Sequence, residues 1–210
     1  MINKILRKLL YGNKADSKTY IEYLRSLGMK IGEETTIYVP TKTQIDTTRP
    51  WLISIGNNVK ITEDVTILTH GFDWSVLKGV YGDILGSGGG VAIGNNVFIG
   101  MKSTILKGVH IGNNVIIGAN TRLNDSNDHC INYLERRMER ECKDWSKLNI
   151  DHAPIVIEDD VFIGAHCIIS KGITIGARSI VAAGSVVVKS IPSDEVWGGN
   201  PAKFIKKLSN

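Results

Sequence analysis

Two histidines stand where an otherwise regular sequence breaks off. His70 lies in the stretch THGFDW and His129 in NDSNDHC. An imidazole ordinarily titrates near about pH 6.5, so at neutral pH it can take a proton from an attacking nucleophile and hand it on. Each histidine precedes a copy of the same cassette. IGNNVFIGMKSTILKGVHIGNNVIIGAN starts at Ile93 and aligns without a gap with IEDDVFIGAHCIISKGITIGARSIVAAG, which starts at Ile157, 64 residues on (157 − 93). A duplicated cassette, entered each time through a histidine-bearing loop, implies that the loops hold a reactive side chain against the chain that follows.

The elements that must do the holding come from the period. Aliphatic residues recur at every sixth position: Ile55, Ile61 and Ile67, then Ile93 through Ile117, then Ile157 through Val187. Four residues after most of them stands a small or β-branched residue, such as Val97, Ser103, Val109, Cys167 or Ser185. Neither a helix nor a simple strand has this beat. Three short flat strands per turn do, with the first residue of each hexad inside a three-sided prism and equivalent positions stacked. The fold class is therefore all-β, a parallel β-helix. Glycines after the aliphatic residue allow tight corners, and Asn pairs such as Asn95 and Asn96 accept left-handed turn conformations. Before the prism, Tyr20, Ile21, Leu24 and Leu27 fall at helical spacing, with Gly28 as a stop. The expected organisation is an N-terminal helical cap over 1–30 and the β-helix over 31–210, with excursion loops at 69–90 and 121–154.

Composition excludes little and suggests something small. Lys and Arg number 25 against 21 Asp and Glu, a formal charge of +4 spread along the chain, so neither nucleic acid nor a membrane surface is demanded. A small anionic ligand suits that charge equally well. The opening MINKILRKLLYG has charges inside too short an apolar run for a signal or a span, and no later segment approaches spanning length. Cys130, Cys142 and Cys167 lack metal-type spacing and make an odd count, which points to a reducing cytoplasm without a disulfide framework.

The in-phase hexads, the closing GGNPAKFIKKL and the stretch IEDDVFIGAHCIISKGITIGARSIVAAGSVV resemble the hexapeptide-repeat acyltransferases, closest to the maltose, galactoside and capsule-sugar O-acetyltransferases. The resemblance runs from about Ile31 to the C-terminus. It implies a left-handed prism, a homotrimer with sites between subunits, and acetyl-CoA as donor, without metal. The implied activity is O-acetylation of a hydroxyl on a sugar or surface-polysaccharide precursor, by direct transfer with a histidine base.

Residue by residue, the likeness makes His129 the first candidate for the base, because Asp125 and Asp128 lead into it and Arg136 and Arg137 follow. Thr69 and His70 match the family's other histidine context, with Gly71 where a proline would stand, so His70 remains a second candidate. The amide of Ala165, after Gly164, is the implied oxyanion donor; such a donor is worth roughly 3 kcal/mol in a transition state. Coenzyme A contacts fall on Arg178, Ala182, Ala183, Lys189, Gly199, Asn200, Lys203 and Lys206. Asp128, Tyr133, Arg136 and Arg137 are candidates to meet the acceptor, although the charge-dense segment from Tyr133 reads equally as a short solvated helix. His110 and His166 fall at outward hexad positions, and His152 at the return to the prism. Three alternatives stay open: an N-acetyltransferase on an amino-sugar, a zinc hydratase of the carbonic anhydrase type, and a non-enzymatic repeat scaffold.

Overall fold

The computed structural model describes residues 4–70, 89–139, 141–142 and 148–209. Most of the expected first excursion, 71–88, lies outside the described residues, as do 140 and 143–147 of the second.

Two helices come first, α1 (Lys4–Tyr11) and α2 (Ser17–Ser26). Asp16 caps α2 by accepting from the Thr19 backbone N–H at 2.9 Å. Tyr20, Ile21 and Leu24 of α2 are buried and join the core of the prism.

Six coils follow, each laying one short strand on each of three faces. They comprise β1 (Lys30–Ile31), β2 (Thr36–Ile37) and β3 (Gln44–Ile45); β4 (Ile53–Ile55), β5 (Lys60–Ile61) and β6 (Thr66–Ile67); and β7 (Val91–Ile93), β8 (Phe98–Ile99) and β9 (Thr104–Ile105). The second half comprises β10 (Val109–Ile111), β11 (Ile116–Ile117) and β12 (Arg122–Leu123); β13 (Ile155–Ile157), β14 (Phe162–Ile163) and β15 (Ile168–Ile169); and β16 (Thr174–Ile175), β17 (Ile180–Val181) and β18 (Val186–Val187). Face A stacks β1-β4-β7-β10-β13-β16, face B stacks β2-β5-β8-β11-β14-β17 and face C stacks β3-β6-β9-β12-β15-β18, all parallel. This is a left-handed parallel β-helix. On face B, β19 (Glu195–Gly199) pairs with β17 and then turns back into β20 (Ala202–Lys207), which is antiparallel to it.

The register explains the six-residue beat. Ile55, Ile93, Ile111, Ile157 and Ile175 pair in sequence up face A. All five are buried, and such stacked aliphatic columns are the core. The polar ladder outside is just as regular: Asn57, Asn95, Asn113 and Asp159 bond from coil to coil at the corner between faces A and B. The adjacent Asn58, Asn96, Asn114 and Asp160 hold left-handed backbone there. The glycines beside them serve another purpose, close approach: a Cβ on Gly94 would sit 2.5 Å from the Gly112 carbonyl oxygen of the next coil.

The second excursion starts later than expected. Thr121 is buried, and β12 pairs with both β9 and β15, so the fourth coil closes before the chain departs at Asn124.

Candidate active site: two histidine–carboxylate pairs on one edge

Both excursions leave from the same edge of the prism, the corner where face C hands over to face A. One follows β6 and the other follows β12. The uninterrupted coils cross that corner on Gly108 and Gly172, whose φ of 67° and 71° suits glycine. Each loop replaces such a glycine turn, which is why neither disturbs the stack.

The second loop is an arm with a narrow neck. Ser126 and His152 form an antiparallel bridge, flanked by bonds from Asn127 N–H to the Asp151 carbonyl at 3.1 Å and from Ala153 N–H to the Asp125 carbonyl at 2.8 Å. Asp125 is wedged here. A Cβ on Gly108 would stand 2.3 Å from Asp125 Oδ2, and Asp125 Oδ1 is buried with no hydrogen-bond partner among the described residues. Burial lifts the Asp125 carboxyl to about 6, with Lys107 opposing the rise and Asp128 adding to it.

Beyond the neck, His129 Nδ1 lies 2.8 Å from Glu139 Oε2, and Glu139 Oε1 accepts the Cys130 backbone N–H at 2.7 Å. Burial would raise the Glu139 carboxyl, but the Cys130 N–H and His129 bonds outweigh it and hold the group below the usual carboxylate range. An ionised carboxylate only accepts, so Nδ1 carries the hydrogen and the Nε2 lone pair is left as a base. The His129 side chain is 55% exposed while Glu139 is 8% exposed, an accessible ring on a buried support.

His70 has a similar partner in a tighter place. Its Nε2 is 3.7 Å from Asp46 Oδ2, and its side chain is only 12% exposed. Burial again pushes the Asp46 carboxyl up, but bonds from the Thr48 hydroxyl at 2.6 Å, the Thr69 hydroxyl and the Thr48 N–H at 2.8 Å bring it below its ordinary value.

The remaining expected site residues fall into separate groups. Gly164 and Ala165, Ala182 and Ala183, and then Gly199 and Asn200 stack at the corner between faces B and C. There a Cβ on Gly164 would meet Ala183 N at 2.5 Å and a Cβ on Gly198 would meet Ala182 Cβ at 2.9 Å. Gly164 N–H is taken by the Val181 carbonyl at 2.8 Å and Gly199 N–H by Ser185 Oγ at 3.1 Å. Lys203 pairs with Gly198 and stays exposed beside this corner, whereas Lys206 sits further along the hairpin, opposite Val196. Lys189 follows β18 toward the other edge of face C. Arg178 lies on the corner between faces A and B in a two-pronged ion pair with Asp194 at 2.6 and 2.7 Å.

In the arm, Asp128 accepts from Asn124 Nδ2 at 2.9 Å, Arg136 bonds the carbonyls of Cys130 and Ile131, and Arg137 lies over the Tyr133 ring at 5.4 Å. Tyr133 opens the six-residue helix α3 (Tyr133–Met138), which buries none of its residues. Among the described residues no group of three His, Cys, Asp or Glu is placed to hold a metal ion.

Sequence reasoning missed Glu139 and Asp46. Asp46 carries a faint signal, an acid directly after the core residue Ile45 in QIDTT. Glu139 carries none, being one acid among many in LERRMERE.

Two family models match the chain, bacterial transferase hexapeptide (six repeats) over residues 90–125 and hexapeptide repeat of succinyl-transferase over residues 154–189. In these two segments the chain is similar to the hexapeptide-repeat transferase superfamily. The matches cover the two cassettes and include neither His70 nor His129. Among curated relatives of this superfamily, the chain is similar to the 2,3,4,5-tetrahydropyridine-2,6-dicarboxylate N-acetyltransferase of Clostridium perfringens, 54% identical over 55 residues, which is 26% of this chain and 23% of that one. The Staphylococcus aureus enzyme of the same name is 47% identical over 57 residues, 27% of this chain and 24% of that one. The chain thus spans about a quarter of the length of these relatives. Among solved structures, AntD, an N-acyltransferase from Bacillus cereus in complex with dTDP and 3-hydroxybutyryl-CoA, superimposes with a TM-score of 0.68 at 22% identity, covering 90% of this chain and 88% of that one. A hexapeptide-repeat acetyltransferase from Vibrio cholerae complexed with acetyl coenzyme A gives 0.54 at 25% identity, covering 99% and 86%.

Proposed function

We propose that this hexapeptide-repeat chain is a coenzyme A-dependent acyltransferase that acetylates the amine of an amino-sugar, with His129 as the general base. The observation that carries the reading is the buried Glu139 carboxylate on Nδ1 of an accessible His129, which fixes the ring and, in the neutral imidazole, puts the hydrogen on Nδ1 and the lone pair on Nε2. The thioester supplies an acyl group that is already activated. His129 Nε2 takes the proton of the attacking amine as the new C–N bond forms, and returns a proton to the departing thiolate as the C–S bond breaks.

The preference for an amine over a hydroxyl draws on the relatives. The curated ones are named N-acetyltransferases, and an AntD variant was crystallised with dTDP-4-amino-4,6-dideoxyglucose and coenzyme A. O-acetylation, which the GGNPAK ending suggested, has less support. The small wall of Ala182, Ala183 and Gly198, with Lys203 beside it, suits a narrow pantetheine arm that ends in phosphates.

The arm leaves from one edge of face C, and Ala165 sits on the other. A site that joins them is completed by a second copy, whose corner between faces B and C lies under the arm of the first. Phe98, Ile116 and Phe162 pair side by side up face B and expose 41%, 47% and 44% of their surface, an apolar ladder suited to contact between copies. The homotrimer of the superfamily accounts for both features.

The test measures thiol release from acetyl-CoA with a panel of nucleotide-linked amino-sugars and their hydroxyl counterparts. His129→Ala is expected to lose about 10² to 10⁴ in kcat. Full activity in that variant, with loss in His70→Ala, would move the base to the first loop.

A further inference from the structure

Helix α1 is the least expected surface of the molecule. At about 100° per residue, Ile5, Leu6, Leu9 and Leu10 fall on one side of it and Arg7, Lys8 and Tyr11 on the other. The charged side is the one tied to the body, because Arg7 Nε donates to the Ala15 carbonyl at 3.1 Å and Ala15 is buried. The apolar side faces water: Ile5 is 70%, Leu9 78%, Leu10 60% and Leu6 47% exposed. A helix held by its polar side, with four aliphatic side chains turned outward, is built for something that covers them.

We propose that α1 docks the protein on an anionic lipid surface, lying in the headgroup region with Ile5, Leu6, Leu9 and Leu10 inserted. Charge selects this occupant. Lys4, Arg7, Lys8 and Lys14 all precede the first acid of the chain, Asp16, so this stretch is uniformly cationic although the chain as a whole is nearly balanced. A basic amphipathic helix with an aliphatic face is the form that binds such interfaces, and it needs no spanning length. No helix among the described residues is long and apolar enough to cross a membrane, which agrees with a helix that lies flat. A second copy of the chain suits α1 less well, because a copy brings the same cationic stretch and no complementary negative charge to it. The ladder of Phe98, Ile116 and Phe162 offers copies a neutral surface elsewhere. The inference is independent of the acyltransferase reading, since it uses no residue of either histidine loop.

The experiment floats the full chain with vesicles of phosphatidylcholine alone and of phosphatidylcholine mixed with phosphatidylglycerol. Binding is expected to the mixed vesicles only, and to weaken as salt screens the charges. The double variant Leu9→Gln, Leu10→Gln is expected to lose at least about tenfold in vesicle affinity. Its melting temperature and its sedimentation mass should stay unchanged. Three results would each overturn the proposal: no binding of the parent chain to mixed vesicles, equal binding to both compositions, or undiminished binding by the double variant. A fall in the variant's sedimentation mass would assign the face to a second copy instead.

Discussion

The carboxylate of Glu139 holds two groups at once, His129 Nδ1 at 2.8 Å and the backbone N–H of Cys130 at 2.7 Å. The ring and the peptide that carries it are therefore fixed by one side chain. That arrangement sets both the direction of the imidazole and its tautomer, the two things a general base needs. Replacing Glu139 with Gln keeps the shape but offers a neutral amide that can donate to Nδ1, which favours the wrong tautomer. Glu139→Gln is expected to lower kcat at least about tenfold while KM for acetyl-CoA changes little, and Glu139→Asp to recover part of the loss. Steady-state kinetics check this, and an unchanged kcat in Glu139→Gln would remove His129 from the chemistry.

Asp125 gives a prediction about pH with a definite sign. Its carboxyl sits near 6 in the folded chain against 3.8 as the reference, so the folded state holds this proton more tightly. The stability it contributes is complete below pH 3.8 and is lost as pH rises through about 6. At neutral pH the ionised group is buried at the neck of the arm, with Oδ1 unpartnered among the described residues. Asp125→Asn is neutral throughout. Its melting temperature is expected to exceed that of the parent chain at pH 7, and the gap to close as both are measured toward pH 4. Thermal melts of the two proteins across that range decide it, because the other carboxylates cancel in the difference.

How much of this could be read in advance depends on the range of the interaction. The columns of Ile93, Ile111, Ile157 and Ile175 were legible because burial repeats with the coil and every coil solves the same packing problem. The histidine loops were legible as departures from that beat. The partners of the histidines were not. Glu139 reaches His129 only because the arm doubles back on itself, and Asp46 reaches His70 because the stacking of coils brings the loop bases together. Neither fold-back leaves a periodic trace. Arg178 shows the opposite failure: a cation in a plausible position for a phosphate is already engaged by Asp194, which holds the corresponding corner of the following turn.

The apolar ladder on face B makes a prediction about assembly. Phe98, Ile116 and Phe162 are in register on neighbouring strands, so a carboxylate at the middle rung would be caught between apolar side chains in any contact that covers them. Ile116→Asp is expected to leave the melting profile of the isolated prism nearly intact, because the side chain points outward. It should shift the sedimentation mass from an oligomer to a single chain and, with a shared site, abolish activity. A monomeric parent chain with full activity would defeat the idea of a site between copies.

Two glycines at the corner between faces B and C should respond oppositely to substitution. Gly118 has ordinary backbone angles, but a Cβ there would lie 2.4 Å from Ala165 N and 2.6 Å from the Gly164 carbonyl carbon of the next coil. Both neighbours are backbone, so Gly118→Ala can be accommodated only by parting the coils, at about 1–3 kcal/mol. Since the displaced atom is the candidate oxyanion donor, kcat should fall as well. Gly184 has open space around it and a φ of 73°, and the matching corners of earlier coils hold Lys102, Asn120 and His166 in the same left-handed conformation. Asn accepts that conformation readily, and it restricts the unfolded chain more than glycine does. Gly184→Asn is therefore expected to leave stability unchanged or raise it by up to about 1 kcal/mol. Chemical denaturation of the two variants beside the parent chain measures both effects, and equal destabilisation by both would mean that backbone conformation, not contact between coils, governs this corner.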